Sequence, residues 1–145
     1  MKLYYYLLVI ACIAGSITVQ DAQAQQLSPE PSMMKSIYFG GGSYYIDPRQ
    51  AEELRVFIKS FPNIQNYTIT IHSHTDNIGS DEFNQMLSEM RSYMSIKKLV
   101  EMSVPRDIIS IHDFGEYNPI YDNSTLEGRL KNRRVDIILW AIETL

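Results

Sequence analysis

The sequence predicts an α+β fold in which a mixed β-sheet is covered on one face by two helices, in the order β-α-β-α-β-loop-β. Three observations lead there. Four short runs rich in β-branched and aromatic residues recur along the chain, at 35–39, 67–72, 108–112 and 134–140. Two longer stretches between them carry helix caps followed by apolar residues at helical spacing. Glycine, proline, asparagine and aspartate punctuate the joins. Helices that alternate with strands pack back onto a common sheet, because each element must bury its apolar face against another.

Lys35 to Phe39 reads as the first strand, broken by Gly40-Gly41-Gly42, which demand a loop or bulge. Asp47-Pro48 places a cap and a proline at a helix start, Ala51, Leu54, Val56, Phe57 and Ile58 follow, and the helix stops before Pro62. Tyr67 to His72 alternates as a strand, with Tyr67, Ile69 and Ile71 on one face and Thr68, Thr70 and His72 on the other. After Asn77-Ile78-Gly79, Ser80 caps a second helix whose first turn carries Asp81 and Glu82, charges that suit the positive end of its dipole. This helix runs to about Met102. Its period predicts a buried stripe of Phe83, Leu87, Met90 and Met94, with its methionines as core filler and Asn84, Ser88, Arg91 and Ser95 on the adjoining stripe. Ile108 to His112 forms the next strand, a loop containing Asn118-Pro119 and Asp122-Asn123 follows, and Arg134 to Trp140 closes the domain as a largely buried strand.

The chain of 145 residues has room for one domain and a targeting segment. Met1-Lys2, the apolar run Leu3 to Ile17 and the small residues Ala22-Gln23-Ala24 together read as a secretory signal peptide over residues 1–24. The run falls short of the roughly 20 apolar residues that span a bilayer, so no transmembrane segment is expected in the mature chain. Residues 25–34, polar and twice interrupted by proline, form a short linker, and 35–145 form the domain. Val9-Ile10-Ala11-Cys12 resembles a bacterial lipobox, an alternative processing site that would leave a lipid on Cys12. If the leader is removed, the mature chain has no cysteine, which excludes disulfides and a thiol nucleophile. With 13 Lys and Arg against 17 Asp and Glu and no basic tract, nucleic acid is not an expected partner.

The stretch IHSHTDNIG, residues 71–79, supports two functional readings. His72-x-His74-x-Asp76 has the spacing of part of the H-x-H-x-D-H metallohydrolase signature, but Asn77 stands where the closing histidine belongs and only His112 remains elsewhere. No G-x-S-x-G elbow is present, so nucleophilic hydrolysis has no support either. The second reading joins Asp76, in the loop at the end of a strand, to Arg91, about two to three turns into the following helix. Arginine is long and helical side chains lean toward the N-terminus, so both charges can reach one cleft and match a zwitterion of opposite polarity, the ammonium and carboxylate of an amino acid.

His74-Thr75-Asp76-Asn77-x-Gly79 followed by Phe83-Asn84-x-x-Leu87-Ser88-x-x-Arg91 resembles the peptidoglycan-binding motif of the OmpA-like C-terminal domain family. Phe114-Gly115-Glu116-x-x-Pro119 resembles that family's G-Y-G-E segment, and Glu127-Gly128-Arg129-x-x-Asn132-Arg133-Arg134-Val135 its closing segment, so the resemblance covers nearly all of residues 35–140. It implies a βαβαβ-type domain in the periplasm or at the outer membrane, non-enzymatic and without cofactor or metal, that binds peptidoglycan and ties the outer membrane or an envelope complex to the wall. By this resemblance Asp76 and Arg91 hold the ammonium and carboxylate of diaminopimelate, while Thr75 and Asn84 shape the loop or touch the ligand. Arg129, Arg133 and Arg134 are expected to be structural, bridging acids such as Glu116 or Glu127. The alternative on the same fold is a partner subunit of an envelope assembly without wall affinity. Ser73 and Asp113 stand where the family usually has glycine, and Gly40-Gly41-Gly42 replaces a segment that commonly carries an acidic or amide residue.

Overall fold

The computed structural model describes residues 33–142; the expected leader, the Cys12 site and residues 25–32 of the linker lie outside the described residues. Strand β1 spans Met33–Tyr38, helix α1 Pro48–Lys59, strand β2 Tyr67–Ser73, helix α2 Asp81–Glu101, strand β3 Ile109–Asp113, helix α3 Leu126–Asn132 and strand β4 Arg134–Ala141. The last two linker residues thus belong to β1. The sheet order is β1-β4-β2-β3, with β4 antiparallel to both neighbours and β2 parallel to β3. The parallel pair is the one joined through a long helix, as a crossover connection requires.

The caps lie where the residue types place them. Asp47 accepts from the amides of Arg49 and Gln50, with Pro48 in the first turn of α1, and Ser80 accepts from the Phe83 amide at the start of α2. Both devices satisfy amides that have no partner inside the helix. Helix α3 is absent from the sequence-based order. Its signal is Thr125, which accepts from the Gly128 amide at 3.0 Å, but a run of seven residues with a central glycine shows no apolar period.

The core is the helix-facing side of the sheet. Ile37, Ile69, Ile71, Val135, Ile137 and Leu139 are fully buried against Leu54 of α1 and Leu99 of α2. The opposite face is polar, and Ser36, Asp136, His72 and His112 share one register row across all four strands. On that face Ser36 Oγ and Arg134 Nε both donate to the Asp136 carboxylate.

Helix α2 turns a different face to the protein from the one its apolar spacing predicts. Phe83 is 41 % exposed and Met86 52 %, whereas Asn84, Ser88, Arg91 and Ser95 are buried along with Leu87 and Leu99. Of the helix methionines, only Met94 packs on the core, joined by Met102 at the C-cap. The cause is close packing of backbone on small polar residues. Ser73 Oγ donates to the Ser88 carbonyl at 2.8 Å, Gly115 N donates to Ser88 Oγ at 3.2 Å, and Ser92 Oγ donates to Asp113. A stripe of serines lets the ends of β2 and β3 approach the helix axis, which larger apolar side chains would prevent.

Candidate functional site

The site lies where the loop after β2 turns into α2. Ser73 ends the strand, and the following residues are carried by backbone bonds to two neighbours: His74 N donates to the Arg134 carbonyl at 2.9 Å and Thr75 N to the Gly115 carbonyl at 2.7 Å. Gly115 has φ +56°, and a Cβ there would lie 3.3 to 3.5 Å from Gln85, so the close approach of this loop to α2 depends on glycine. Ser73 introduces no strain of its own, since its backbone is an ordinary strand residue and its hydroxyl is used in packing.

Arg91 rises from the third turn of α2 and is fully buried. Its Nε donates to the Ser43 carbonyl at 2.9 Å, Nη1 to the His74 carbonyl at 2.7 Å and Nη2 to the Gly40 carbonyl at 3.1 Å, and its guanidinium carbon lies 4.9 Å from the Phe39 ring centre. The triglycine loop and the loop after β2 are therefore tied to one guanidinium. Burial, with the Arg133 charge adding and Asp76 opposing, pushes its pKa down to about 10, which leaves it charged at neutral pH.

Asp76 is buried as well, and its partner is a residue that motif spacing does not assign to it. Arg133 Nε donates to Asp76 Oδ2 at 2.7 Å, and the Ile78 amide donates to Oδ1 at 3.2 Å. The expected acids for the closing arginines take other roles. Glu116 accepts from Asn84 Nδ2 and Glu127 pairs with Lys131, while Arg129 donates to the Asn123 and Ser124 carbonyls and Arg134 pairs with Asp136. Arg133 is the C-cap of α3, one residue before β4, a strand antiparallel to β2. Strand pairing sets the start of β4 beside the end of β2, with Val135 opposite Ser73.

Thr75 Oγ1 and Asn84 Oδ1 are buried and make no hydrogen bond among the described residues. Buried polar atoms of this kind are normally paired, and with His74 Nδ1 the loop-to-helix junction carries three that have no partner among the described residues. The four residues expected at the site are thus all assembled at this junction. Asp76 presents its carboxylate beside Arg133, and Arg91 lies beneath the loop rather than facing an open cleft.

The histidines do not gather around a metal. His72 lies on the polar sheet face with its ring centre 5.3 Å from that of His112, while His74 stacks on Phe114 at 4.9 Å and 9°. Asp76 is held by Arg133, and among the described residues no three His, Cys, Asp or Glu side chains form a metal-ligating group. Burial, reinforced by the Arg134 charge, pushes the His74 pKa down to about 4.

A sequence profile of the OmpA family matches residues 38–133. The chain belongs to the OmpA family. The outer-membrane lipoprotein YfiB of Pseudomonas aeruginosa is 30 % identical over 131 residues, covering 88 % of this chain and 78 % of that protein. The peptidoglycan-binding protein ArfA of Mycobacterium tuberculosis is 36 % identical over 103 residues, covering 71 % of this chain but only 32 % of ArfA. Among solved structures, the C-terminal domain of Helicobacter pylori MotB superimposes with a TM-score of 0.66 at 25 % identity, covering 72 % of this chain and 83 % of that one. The peptidoglycan-associated lipoprotein of Burkholderia pseudomallei gives 0.62 at 23 %, covering 72 % and 89 %, and shares the fold. Asp76, Asn84, Arg91, Glu116 and Arg133 all fall within the stretch that this OmpA-family domain matches.

Proposed function

We propose that this chain binds peptidoglycan non-covalently through the diaminopimelate of the stem peptide and so tethers the outer membrane, or an envelope complex, to the wall from the periplasmic side. The observation that carries the reading is the Asp76 carboxylate, fixed by Arg133 beside two unpaired polar atoms, Thr75 Oγ1 and Asn84 Oδ1, at the motif position of a family with a member named for peptidoglycan binding. Asp76 accepts from the ligand's ammonium, Thr75 and Asn84 add hydrogen bonds, and Arg91 supplies positive charge beneath the loop. In this reading the role is binding, with no bond made or broken.

Each charge-assisted contact contributes on the order of 1.5 to 3 kcal/mol, so one fragment is held at roughly micromolar to millimolar affinity. Repetition along the polymer then makes attachment firm by avidity. The test is co-sedimentation of purified protein with insoluble sacculi. Wild type is expected in the pellet and Asp76→Asn in the supernatant; equal pelleting of both proteins sinks the assignment to Asp76.

A second reading, an envelope partner subunit without wall affinity, draws on the same geometry, since Asp76 and Arg91 already have partners within the chain. Failure of wild type to sediment, with retained binding to envelope proteins, would favour it.

A further inference from the structure

We infer that this protein pairs with a second copy of itself through the outward face of α2, the two helices running antiparallel across a two-fold axis. The surface concerned is not the loop-to-helix junction, and the inference stands whether or not the wall-binding reading holds.

The buried side of α2 has Ser88 and Ser95 at its centre, packed toward the strand ends. Half a turn around the helix from those serines lie Phe83, Met86, Met90, Tyr93, Lys97 and Val100. Their steps of three, four, three, four and three are the 3.5-residue repeat of a helix-to-helix seam. Tyr93 is 61 % exposed, Phe83, Met86, Lys97 and Val100 are exposed as well, and Met90 is half-buried. The outward face of a surface helix is normally polar. A face that carries apolar side chains at every seam position but Lys97, over a helix about 30 Å long, is one that has a partner to receive.

The charges identify the occupant. Asp81, Glu82 and Glu89 lie in the first half of α2, and Lys97 and Lys98 lie near its end. Glu101, the acid of the last turn, is already neutralised by Lys98 at 2.9 Å. A helix that is acidic at one end and basic at the other complements itself only when the second copy is reversed, since parallel pairing sets acid against acid and base against base. With the axis between Met90 and Tyr93, each Met90 meets Tyr93 of the other copy and each Val100 covers Phe83. Lys97 then reaches the layer of Met86, between Glu82 and Glu89 of the facing helix. The same contacts are made twice, so the interface closes on itself as a dimer. A lipid surface suits the face less well, because Glu82 and Glu89 border it.

Each α2 begins at the loop after β2, so the pair carries its two copies of Asp76 and Asn84 at opposite ends, about 30 Å apart along the helix axis. On the wall-binding reading, such a dimer would hold the polymer at two points.

The experiment is sedimentation equilibrium of the purified protein, expressed as the full chain, from about 5 to 500 µM, a range that brackets the weak association of a single helix seam. Wild type is expected to pass from monomer to dimer mass across it. Tyr93→Glu, with folding checked by circular dichroism, should weaken association roughly tenfold or more. Lys97→Glu should act in the same direction by setting acid against Glu82 and Glu89. Adding Glu82→Lys and Glu89→Lys to Lys97→Glu should restore the dimer, which only antiparallel pairing accomplishes. A monomer at every concentration overturns the inference, as does a dimer indifferent to both Tyr93→Glu and Lys97→Glu. Flotation of a monomeric wild type with phosphatidylglycerol vesicles, lost in Tyr93→Glu, would assign the face to a lipid surface and overturn it too. Sedimentation with sacculi reads wall binding separately, so the two readings fail independently.

Discussion

The Arg91 guanidinium donates through Nη1 to the carbonyl of His74 at 2.7 Å, so a side chain in the third turn of α2 holds the first residue of the loop after β2 by its backbone. The same group holds Gly40 and Ser43, and one buried cation thus joins two loops that enter the site from different strands. Its burial is tolerable because three carbonyl dipoles and the nearby Asp76 compensate the lost hydration.

Arg91 should therefore be a stability residue before it is anything else. Arg91→Met is expected to cost about 3 kcal/mol or more, because three bonds from a charged donor to carbonyls are lost, each contributing on the order of 1.5 to 3 kcal/mol. Urea unfolding measures it, and a loss below about 1 kcal/mol would show that the two loops hold themselves. Native-state hydrogen exchange should meanwhile speed up selectively over Gly40–Ser43.

The shift of the buried face of α2 onto the adjoining stripe makes a pair of substitutions informative. Phe83→Ser, at a largely exposed position, should change stability by less than about 1 kcal/mol. Ser88→Leu, which improves the apolar character of the helix, should destabilise by about 2 kcal/mol or more, because the site is closed by Ser73 and Gly115. Thermal melts of the two variants would decide the matter, and the opposite ranking would restore the face read from spacing.

His74 makes stability fall with acid. Its folded pKa is depressed to about 4 from an ordinary value of 6.5, so the unfolded chain binds the proton more readily. The neutral form's contribution is complete above about pH 6.5 and is lost as pH falls toward 4, amounting to about 3 kcal/mol in all. Charged groups facing it are Arg134, Asp136 and His72, of which Arg134 and His72 oppose protonation and Asp136 favours it. In denaturant melts between pH 7 and 4, His74→Gln should lose less stability than wild type over that window; parallel curves would remove His74 as the cause.

Gly115→Ala should cost about 1 to 3 kcal/mol, since φ is +56° and the new methyl meets the Gln85 backbone. Differential scanning calorimetry gives the value, and Asn84 amide shifts in the same variant report whether the loop has moved from α2.

Much of this protein follows from local sequence. The caps at Asp47 and Ser80, the alternation of Tyr67, Ile69 and Ile71, and the long buried strand 134–140 place the elements within a residue or two, because capping and period are properties of neighbouring residues. The loop after β2 and the candidates Asp76, Asn84 and Arg91 are named by motif spacing alone. Tertiary structure alone decided which side of α2 is buried, since the strand ends that demand a serine-lined contact lie far along the chain. It also decided which arginine meets Asp76. Fifty-seven residues separate Asp76 from Arg133, and only the antiparallel pairing of β2 with β4 brings that cation to the loop, while the carbonyls of Gly40, Ser43 and His74 draw Arg91 inward. Local spacing predicts which side chains share a face, but the partners of a buried charge are chosen by whichever backbone groups the completed fold leaves without one.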